Sequence, residues 1–300
     1  MGRTILDEIA ERTVVRVDEL KKKKALEAVR REAEALGSAT GFPFQKALAA
    51  PDISFICEVK KASPSKGLIA EEFPYCDIAK EYETAGAAAI SVLTEPYYFL
   101  GRDTYLQEIL QNVSIPILRK DFTVDAYQIY EARILGASAV LLICALLEEA
   151  QLKEYLAAAH SLGLSALVET HTEEEAEMAL RAGAGIIGVN NRNLKTFEVD
   201  TEISCRLRAM IPKEILFVSE SGIQTAQDVA KLRENGTNGV LIGETLMRSP
   251  DKKRQLEILR GACQERGKME QEAEDGKRHE TGTKDKNMRI DKGMRCGLCE

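Results

Sequence analysis

Five short apolar runs in this 300-residue chain end in charged or amide side chains. "FICEVKK" closes on Glu58, Lys60 and Lys61, and "IPILRKDF" on Arg119, Lys120 and Asp121. "LSALVETH" ends in Glu169, "IIGVNNRN" delivers Asn190 and Arg192, and "LFVSESG" presents Glu220. One charged residue at a strand end is ordinarily solvated. Matched amines and carboxylates at five ends point instead to a shared site. Amines and carboxylates brought together shift each other's protonation, so a neutral-pH site gains both an acid and a base. A lysine whose ammonium is destabilised is a nucleophile toward a carbonyl and forms a Schiff base. Composition leaves both uses open.

Two further runs carry a signal for phosphate. "SESGI" and "LIGETLM" place Ser221-Gly222 and Gly243-Glu244 just ahead of helical sequence. Glycine lets backbone N–H groups approach an anion closely, and a helix N-terminus adds the positive end of its dipole. Together they imply a phosphorylated small-molecule substrate. No His, Cys or Asp cluster occurs at ligand spacing among these ends, and His160 and His171 stand isolated, so no metal site is expected. Nothing resembles a dinucleotide fingerprint, and no cofactor is expected.

The elements that must position these residues follow a simple alternation. From about residue 53, eight apolar runs ("FICEV", "AAAISVL", "IPILR", "ASAVLLI", "LSALVE", "AGIIGVN", "EILFVSE", "NGVLIG") alternate with helical stretches, several ending in Gly. Continuous apolar strands are buried on both faces, which means a parallel sheet with helices outside. Eight such units predict an α/β fold, a single (β/α)8 TIM barrel; an open doubly wound sheet is the alternative. In a barrel the C-terminal strand ends converge on one mouth. Residues 1–50 read as an amphipathic helical extension in which Lys21–Lys24 form a solvated face. Residues 51–263 are the expected barrel, and 264–300 a charged, disordered tail.

Composition excludes several classes. A net charge of −7 gives no electrostatic footprint for nucleic acid and no attraction to anionic lipid. No apolar stretch approaches the roughly 18–20 residues that span a bilayer, and "MGRTILDEIAERTVV" lacks a cleavable apolar core. Most of the seven cysteines sit in apolar or helical runs, the usage of buried thiols in a reducing, cytoplasmic protein. The "CGLC" of Cys296 and Cys299 is a lone pair, too weak a signal for a metal or redox site.

"EVKKASPSKG", "SVLTEPYYFLG", "ILRKDF", "LVETH", "VNNRNL", "SESGI" and "LIGETLM" occur in the order and spacing of the indole-3-glycerol-phosphate synthase family, over roughly residues 1–260. The resemblance implies a cofactor-free carbon–carbon lyase of tryptophan biosynthesis. It would close the pyrrole ring of 1-(2-carboxyphenylamino)-1-deoxyribulose 5-phosphate with loss of carbon dioxide and water. By resemblance Lys120 is the general acid, Lys60 the second essential lysine, and Glu58 and Glu169 the proton-transfer carboxylates. Asn190 and Glu220 match residues holding substrate hydroxyls or the lysine network, and Arg192 a positioning arginine. Ser63, Ser221, Gly222, Gly243 and Glu244 map to binding loops, Glu244 through its backbone N–H. Phe99 and Phe122 match an apolar wall for the anthranilate ring. The resemblance further implies a monomer, with room for contact with other tryptophan-pathway enzymes. The terminal "MRCGLCE" weakly resembles the "CGL" opening of phosphoribosylanthranilate isomerase, which is often fused behind this family; an unrelated tail is the preferred reading.

Overall fold

The computed structural model describes residues 4–193 and 195–261. Eight parallel strands, β1 (Ser54–Val59), β2 (Ala89–Leu93), β3 (Ile117–Lys120), β4 (Ala139–Ile143), β5 (Ser165–Thr170), β6 (Ile186–Asn190), β7 (Leu216–Glu220) and β8 (Gly239–Ile242), pair in chain order. β1 also pairs with β8, from Ser54↔Gly239 to Cys57↔Ile242, and this ladder closes the ring. The fold is therefore the expected (β/α)8 barrel. An open sheet would leave two edge strands unpaired, and here neither β1 nor β8 has a free edge.

The strands are apolar throughout because both faces are covered, and the side-chain period of two sorts them. Outward positions such as Phe55, Cys57, Ile90, Val92, Val168 and Phe217 belong to the layer beneath the helices. Inward positions such as Ile56, Ala89, Leu118, Leu141, Leu167, Val218 and Leu241 fill the barrel itself. The same alternation carries Glu58, Lys120, Glu169, Asn190 and Glu220 inward at the C-terminal ends of their strands.

Three helices precede the barrel. α1 (Ile5–Lys23) starts with a capping box in which Thr4 and Asp7 satisfy each other's backbone N–H groups. Its buried residues Leu6, Ile9, Thr13 and Val17 recur at helical spacing on one face. α2 (Leu26–Ala35) contributes Val29 to a cluster with Val17 and Tyr127, which docks the extension on the barrel's flank. α3 (Pro43–Leu48) inserts Phe44 and Leu48 into the interior cluster. Both are fully buried, and each contributes about 1.5–3 kcal/mol by leaving water. Leu48 packs against Gly239 at the start of β8, so α3 plugs the N-terminal end of the barrel. Within the run Lys21–Lys24, Lys21 pairs with Asp125, Lys22 with Glu19 and Lys24 with Glu32, which makes it the solvated face expected.

Helices α4 (Tyr75–Thr84), α5 (Asp103–Leu110), α6 (Ala126–Leu135), α7 (Glu149–Ser161), α8 (Glu173–Ala182), α9 (Glu202–Arg208) and α10 (Ala226–Glu234) follow β1 to β7 in turn. α11 (Glu244–Met247) and α12 (Lys252–Leu259) follow β8. Asp125 and Thr172 cap the starts of α6 and α8, and Gly136 and Gly183 end them with φ of 90° and 87°. Among the described residues no helix is long and apolar enough to cross a membrane. Cys57, Cys76, Cys144 and Cys205 are free thiols. The expected tail, with Cys296 and Cys299, lies outside the described residues.

Candidate active site

The C-terminal strand ends surround a cavity of about 550 Å³, a size typical of small-molecule sites. All fourteen residues singled out from the sequence line it: Glu58, Lys60, Ser63, Phe99, Lys120, Phe122, Glu169, Asn190, Arg192, Glu220, Ser221, Gly222, Gly243 and Glu244. Ile5, Leu6 and Ile9 of α1 line it too, so the N-terminal extension is one wall of the mouth.

The centre of the site is Lys120. Its Nζ donates to Glu169 Oε2 at 3.1 Å and lies 3.5 Å from Glu220 Oε2. Burial alone would drive the ammonium to lose its proton, but Glu169, Glu220 and Glu58 outweigh it and hold the lysine above its ordinary range. That removes the Schiff-base alternative for Lys120, which needs a lysine that loses its proton easily. Glu169 is pulled below the ordinary carboxylate range: burial opposes ionisation, but Lys120, His171 and Asn190 prevail. Asn190 Nδ2 donates to Glu169 Oε1 at 3.1 Å. Glu220 goes the other way. Burial first, then Glu169 and Glu58, push it up to about 7 against the pull of Lys120. Its Oε1 is buried without a hydrogen-bond partner. Two carboxylates beside one ammonium thus differ in protonation, the condition for an acid and a base in one site. On the neighbouring β1, Lys60 Nζ donates to Glu58 Oε1.

The loops after β7 and β8 supply the other side of the cavity. Ser221 and Gly222 both take left-handed backbone, with φ of 69° and 83°. Such a φ is uncommon for serine, and Asn191 accounts for it by donating to the Ser221 carbonyl at 3.0 Å. Gly243 is required by space rather than by φ: a Cβ there would strike the Glu58–Lys60 pair. The Glu244 carboxylate is turned aside, accepting from Arg248 Nε at 3.1 Å and lying 3.5 Å from Lys66 Nζ. Arg192 donates to the Phe197 carbonyl at 3.1 Å, which pins its own loop across the mouth. Ser63 belongs to a small hairpin, Ala62–Ser63 against Gly67–Leu68, that brings Lys66 to the same edge.

Phe99 and Phe122 face each other with ring centroids 5.8 Å apart, tilted by 39°. With Leu141, Ile143 and the α1 side chains they form the apolar part of the lining.

The sequence profile of the family described as Indole-3-glycerol phosphate synthase matches residues 6–259. The chain belongs to the indole-3-glycerol phosphate synthase family. It is similar to the indole-3-glycerol phosphate synthase of Ruminiclostridium cellulolyticum, with 60% identity over 86% of this chain and 100% of that protein. The synthase of Endomicrobium trichonymphae is 58% identical over 82% of this chain and 95% of its own length. Among solved structures, the N-acetylmannosamine-6-phosphate 2-epimerase of Clostridium perfringens superposes with a TM-score of 0.54 at 18% identity, covering 67% of this chain and 90% of that one. A thiamine phosphate pyrophosphorylase from Pyrococcus furiosus gives 0.53 at 16%, covering 74% and 98%. At such identities these two establish the barrel fold and nothing more.

In this synthase-family chain three expectations need correction, and several working residues were not foreseen. Arg119 does not join the mouth. It points outward from β3, where its Nη2 meets Asp103 Oδ1 at 2.8 Å and Glu131 Oε2 at 2.7 Å. Lys61 likewise alternates away from the lining that holds Glu58 and Lys60. His171 is not isolated: its Nε2 lies 3.4 Å from Glu169 Oε1 and its Nδ1 3.2 Å from Glu175 Oε2. The unforeseen residues act by holding others. Glu95, 1% exposed, accepts from the backbone N–H groups of Tyr97, Tyr98 and Phe99 at 2.7–3.0 Å, which shapes the loop that presents Phe99. Asp121 accepts from Arg16, Thr94 and the N–H of Phe122, tying α1 to the residue after Lys120. Gly188 leaves room for Glu220 Oε1. A glycine inside an apolar strand marks a close approach, and "IIGVN" carried that signal. The α1 wall had no such sign, because its inward residues look like any helix core.

Proposed function

We propose that Lys120 is the general acid of the ring closure that this chain catalyses. As a member of its family the chain is a carbon–carbon lyase of tryptophan biosynthesis. It converts 1-(2-carboxyphenylamino)-1-deoxyribulose 5-phosphate into indole-3-glycerol phosphate, carbon dioxide and water. In the first step the ring carbon bearing the carboxylate attacks the ribulose carbonyl, and the oxygen gains negative charge. Lys120, kept protonated by its carboxylates, stabilises that charge and gives it a proton. Carbon dioxide then leaves, and its bonding electrons return to the aromatic ring. In the second step the new hydroxyl departs as water with a proton from Lys60, and a carboxylate takes a proton from the neighbouring methylene. We assign that base to Glu169, the carboxylate held ionised against Lys120. Glu220, near half-protonated at neutral pH, restores the Lys120 proton. Two protons given and one recovered match the single proton the reaction consumes. Every transfer uses a side chain of this protein, so the scheme calls on no cofactor.

Ser221, Gly222, Gly243 and the Glu244 N–H would hold the phosphate, with Lys66 and Arg248 as nearby cations. Phe99 and Phe122 would clasp the anthranilate ring. The cavity is lined by one chain alone, which supports action as a monomer, and the absence of an apolar spanning helix among the described residues fits a cytoplasmic site of action. The observation that carries the reading is Lys120 Nζ between Glu169 and Glu220 at 3.1 and 3.5 Å. The test follows formation of indole-3-glycerol phosphate by fluorescence, with Lys120→Ala beside the parent. A loss of about 10²–10⁴-fold in kcat is expected for the variant. A variant as fast as the parent would refute Lys120 as the acid.

A further inference from the structure

His171 follows directly on β5, two residues past Glu169, and its side chain is 14% exposed. Glu175 on α8 holds it from one side: Glu175 Oε2 accepts from the His171 backbone N–H at 2.7 Å and lies 3.2 Å from Nδ1. A carboxylate beside Nδ1 places a proton on that nitrogen. The other nitrogen, Nε2, is buried and makes no hydrogen bond, yet sits 3.4 Å from Glu169 Oε1. In a neutral ring Nε2 would turn a lone pair toward a carboxylate oxygen, a repulsive contact in a site shielded from water. With Nε2 protonated the same contact becomes an attraction between an imidazolium and two flanking carboxylates. The scheme above uses Glu169 and gives His171 nothing to do.

We propose that His171 is a positioning residue for the reaction: a Glu175–His171–Glu169 chain holds Glu169 Oε1 and keeps that carboxylate negative while Oε2 faces Lys120. The inference rests on the assignment of Glu169 as the base. The surrounding groups are consistent with it. Burial works against the imidazolium, but Glu175, Glu169 and Glu220 together raise His171 above its ordinary value. Lys120 stands on the far side of Glu169, 3.1 Å from the other carboxylate oxygen. Cys144, whose Sγ lies 3.7 Å from the Glu175 carbonyl, is pushed up to about 12, by burial first, and stays neutral. His171 is therefore the cation that faces Glu169 Oε1, with Asn190 as its neutral donor.

The experiment is the pH profile of kcat and kcat/KM for the parent, His171→Ala, His171→Gln, Glu175→Gln and Glu169→Gln. Removing the positive charge lets Glu169 take up a proton more readily, so the acid limb of the His171→Ala profile moves toward neutral pH by roughly half to one unit. Its kcat falls about 5–30-fold with KM changed less than about threefold, because the interaction lost serves the transition state rather than binding. His171→Gln can donate a neutral hydrogen bond; it recovers part of kcat but leaves the acid limb displaced. Glu175→Gln, altered at the outer end of the chain, moves the limb the same way by less, and it reads the effect even where His171→Ala does not fold. Profiles for the His171 and Glu175 variants that overlay the parent, with Glu169→Gln inactive, overturn the role of His171. Full activity in Glu169→Gln overturns the base assignment and this inference with it.

Discussion

Arg119 and Lys120 are neighbours on β3, both cations shielded from solvent and both matched by more than one carboxylate, yet they serve different ends. Arg119, 3% exposed, faces outward into a closed network with Asp103, Glu131 and the Gln128 carbonyl. Its partners are fixed, and Arg16 approaches from α1 to hold Asp121 beside it. Lys120 faces inward into the 550 Å³ cavity, and one of its partners, Glu220, keeps an unpartnered oxygen and a displaced protonation equilibrium. A buried cation with every partner in place holds parts together. A buried cation whose partners are incompletely satisfied and open to a cavity is prepared to exchange a proton. The period of two along one strand is what separates the two roles.

The same substitution at both positions is the strongest way to break this contrast. Lys120→Met should keep the fold, because Glu220 already sits near 7 and takes a proton when the ammonium is lost; kcat should fall by about 10²–10⁴-fold. Arg119→Met should do the reverse. Removing it leaves Asp103 and Glu131 without their cation, a loss of about 3 kcal/mol of stability, while folded enzyme keeps kcat within about tenfold. Urea denaturation beside steady-state kinetics separates the two, and a stable, inactive Arg119→Met would erase the distinction drawn here.

Glu220 sharpens it further. Its carboxyl titrates near 4.5 in an unfolded chain and at about 7 in the folded one. Between those values the folded state binds more protons, so this group's contribution to stability is greatest below 4.5 and declines as pH rises to 7. Glu169, lowered by its partners, acts in the opposite sense: its contribution is present above 4.5 and lost as pH falls below it. The windows do not overlap. Glu220→Gln should therefore flatten the fall in unfolding free energy between pH 5 and 7, by on the order of 2 kcal/mol across the window. Equal slopes in parent and variant would mean that Glu220 is ionised throughout. Gly188→Ala approaches the same carboxylate from β6. Its added methyl would meet Glu220 Oε1 and, at 3.1 Å, Leu167 Cδ1. A stability loss of about 1–2 kcal/mol and a fall in kcat larger than the rise in KM are expected, measurable in the same two assays.

The barrel and its mouth were legible because strand burial on both faces leaves an unbroken apolar run, and a charged residue at the end of such a run has few reasons to be there. Glu58, Lys120, Glu169 and Glu220 were readable for that reason. Arg119 and Lys61 were misplaced because position along a strand says which end a residue occupies, while only register says which face. His171 was passed over because its partners, Glu169 and Glu175, lie two and four residues away across a strand-to-helix turn, a spacing with no motif. Glu95 and Asn191 work through backbone groups of neighbouring loops, and a sequence does not display backbone contacts. The α1 wall was invisible for a different reason: Leu6 and Ile9 bury against a cavity with the same periodicity that would bury them against a core.

Glu244→Gln is the smallest perturbation and tests the edge of the site rather than its centre. Its carboxylate is 29% exposed and its partners, Lys66 and Arg248, are 44% and 50% exposed, so the ion pairs contribute about 0–1 kcal/mol and stability should barely move. The charge matters more to an incoming anion. Glu244 occupies two cations beside the loops proposed to take phosphate, and its own negative charge opposes that ligand. Replacing it with glutamine frees Lys66 and Arg248 and should lower KM by about two- to fivefold at low salt, with kcat unchanged. The gain should shrink as ionic strength rises, because these groups are open to solvent and screened within roughly 8–10 Å. A higher KM in the variant would give Glu244 the opposite role, that of an anchor holding Lys66 and its hairpin where the phosphate needs them.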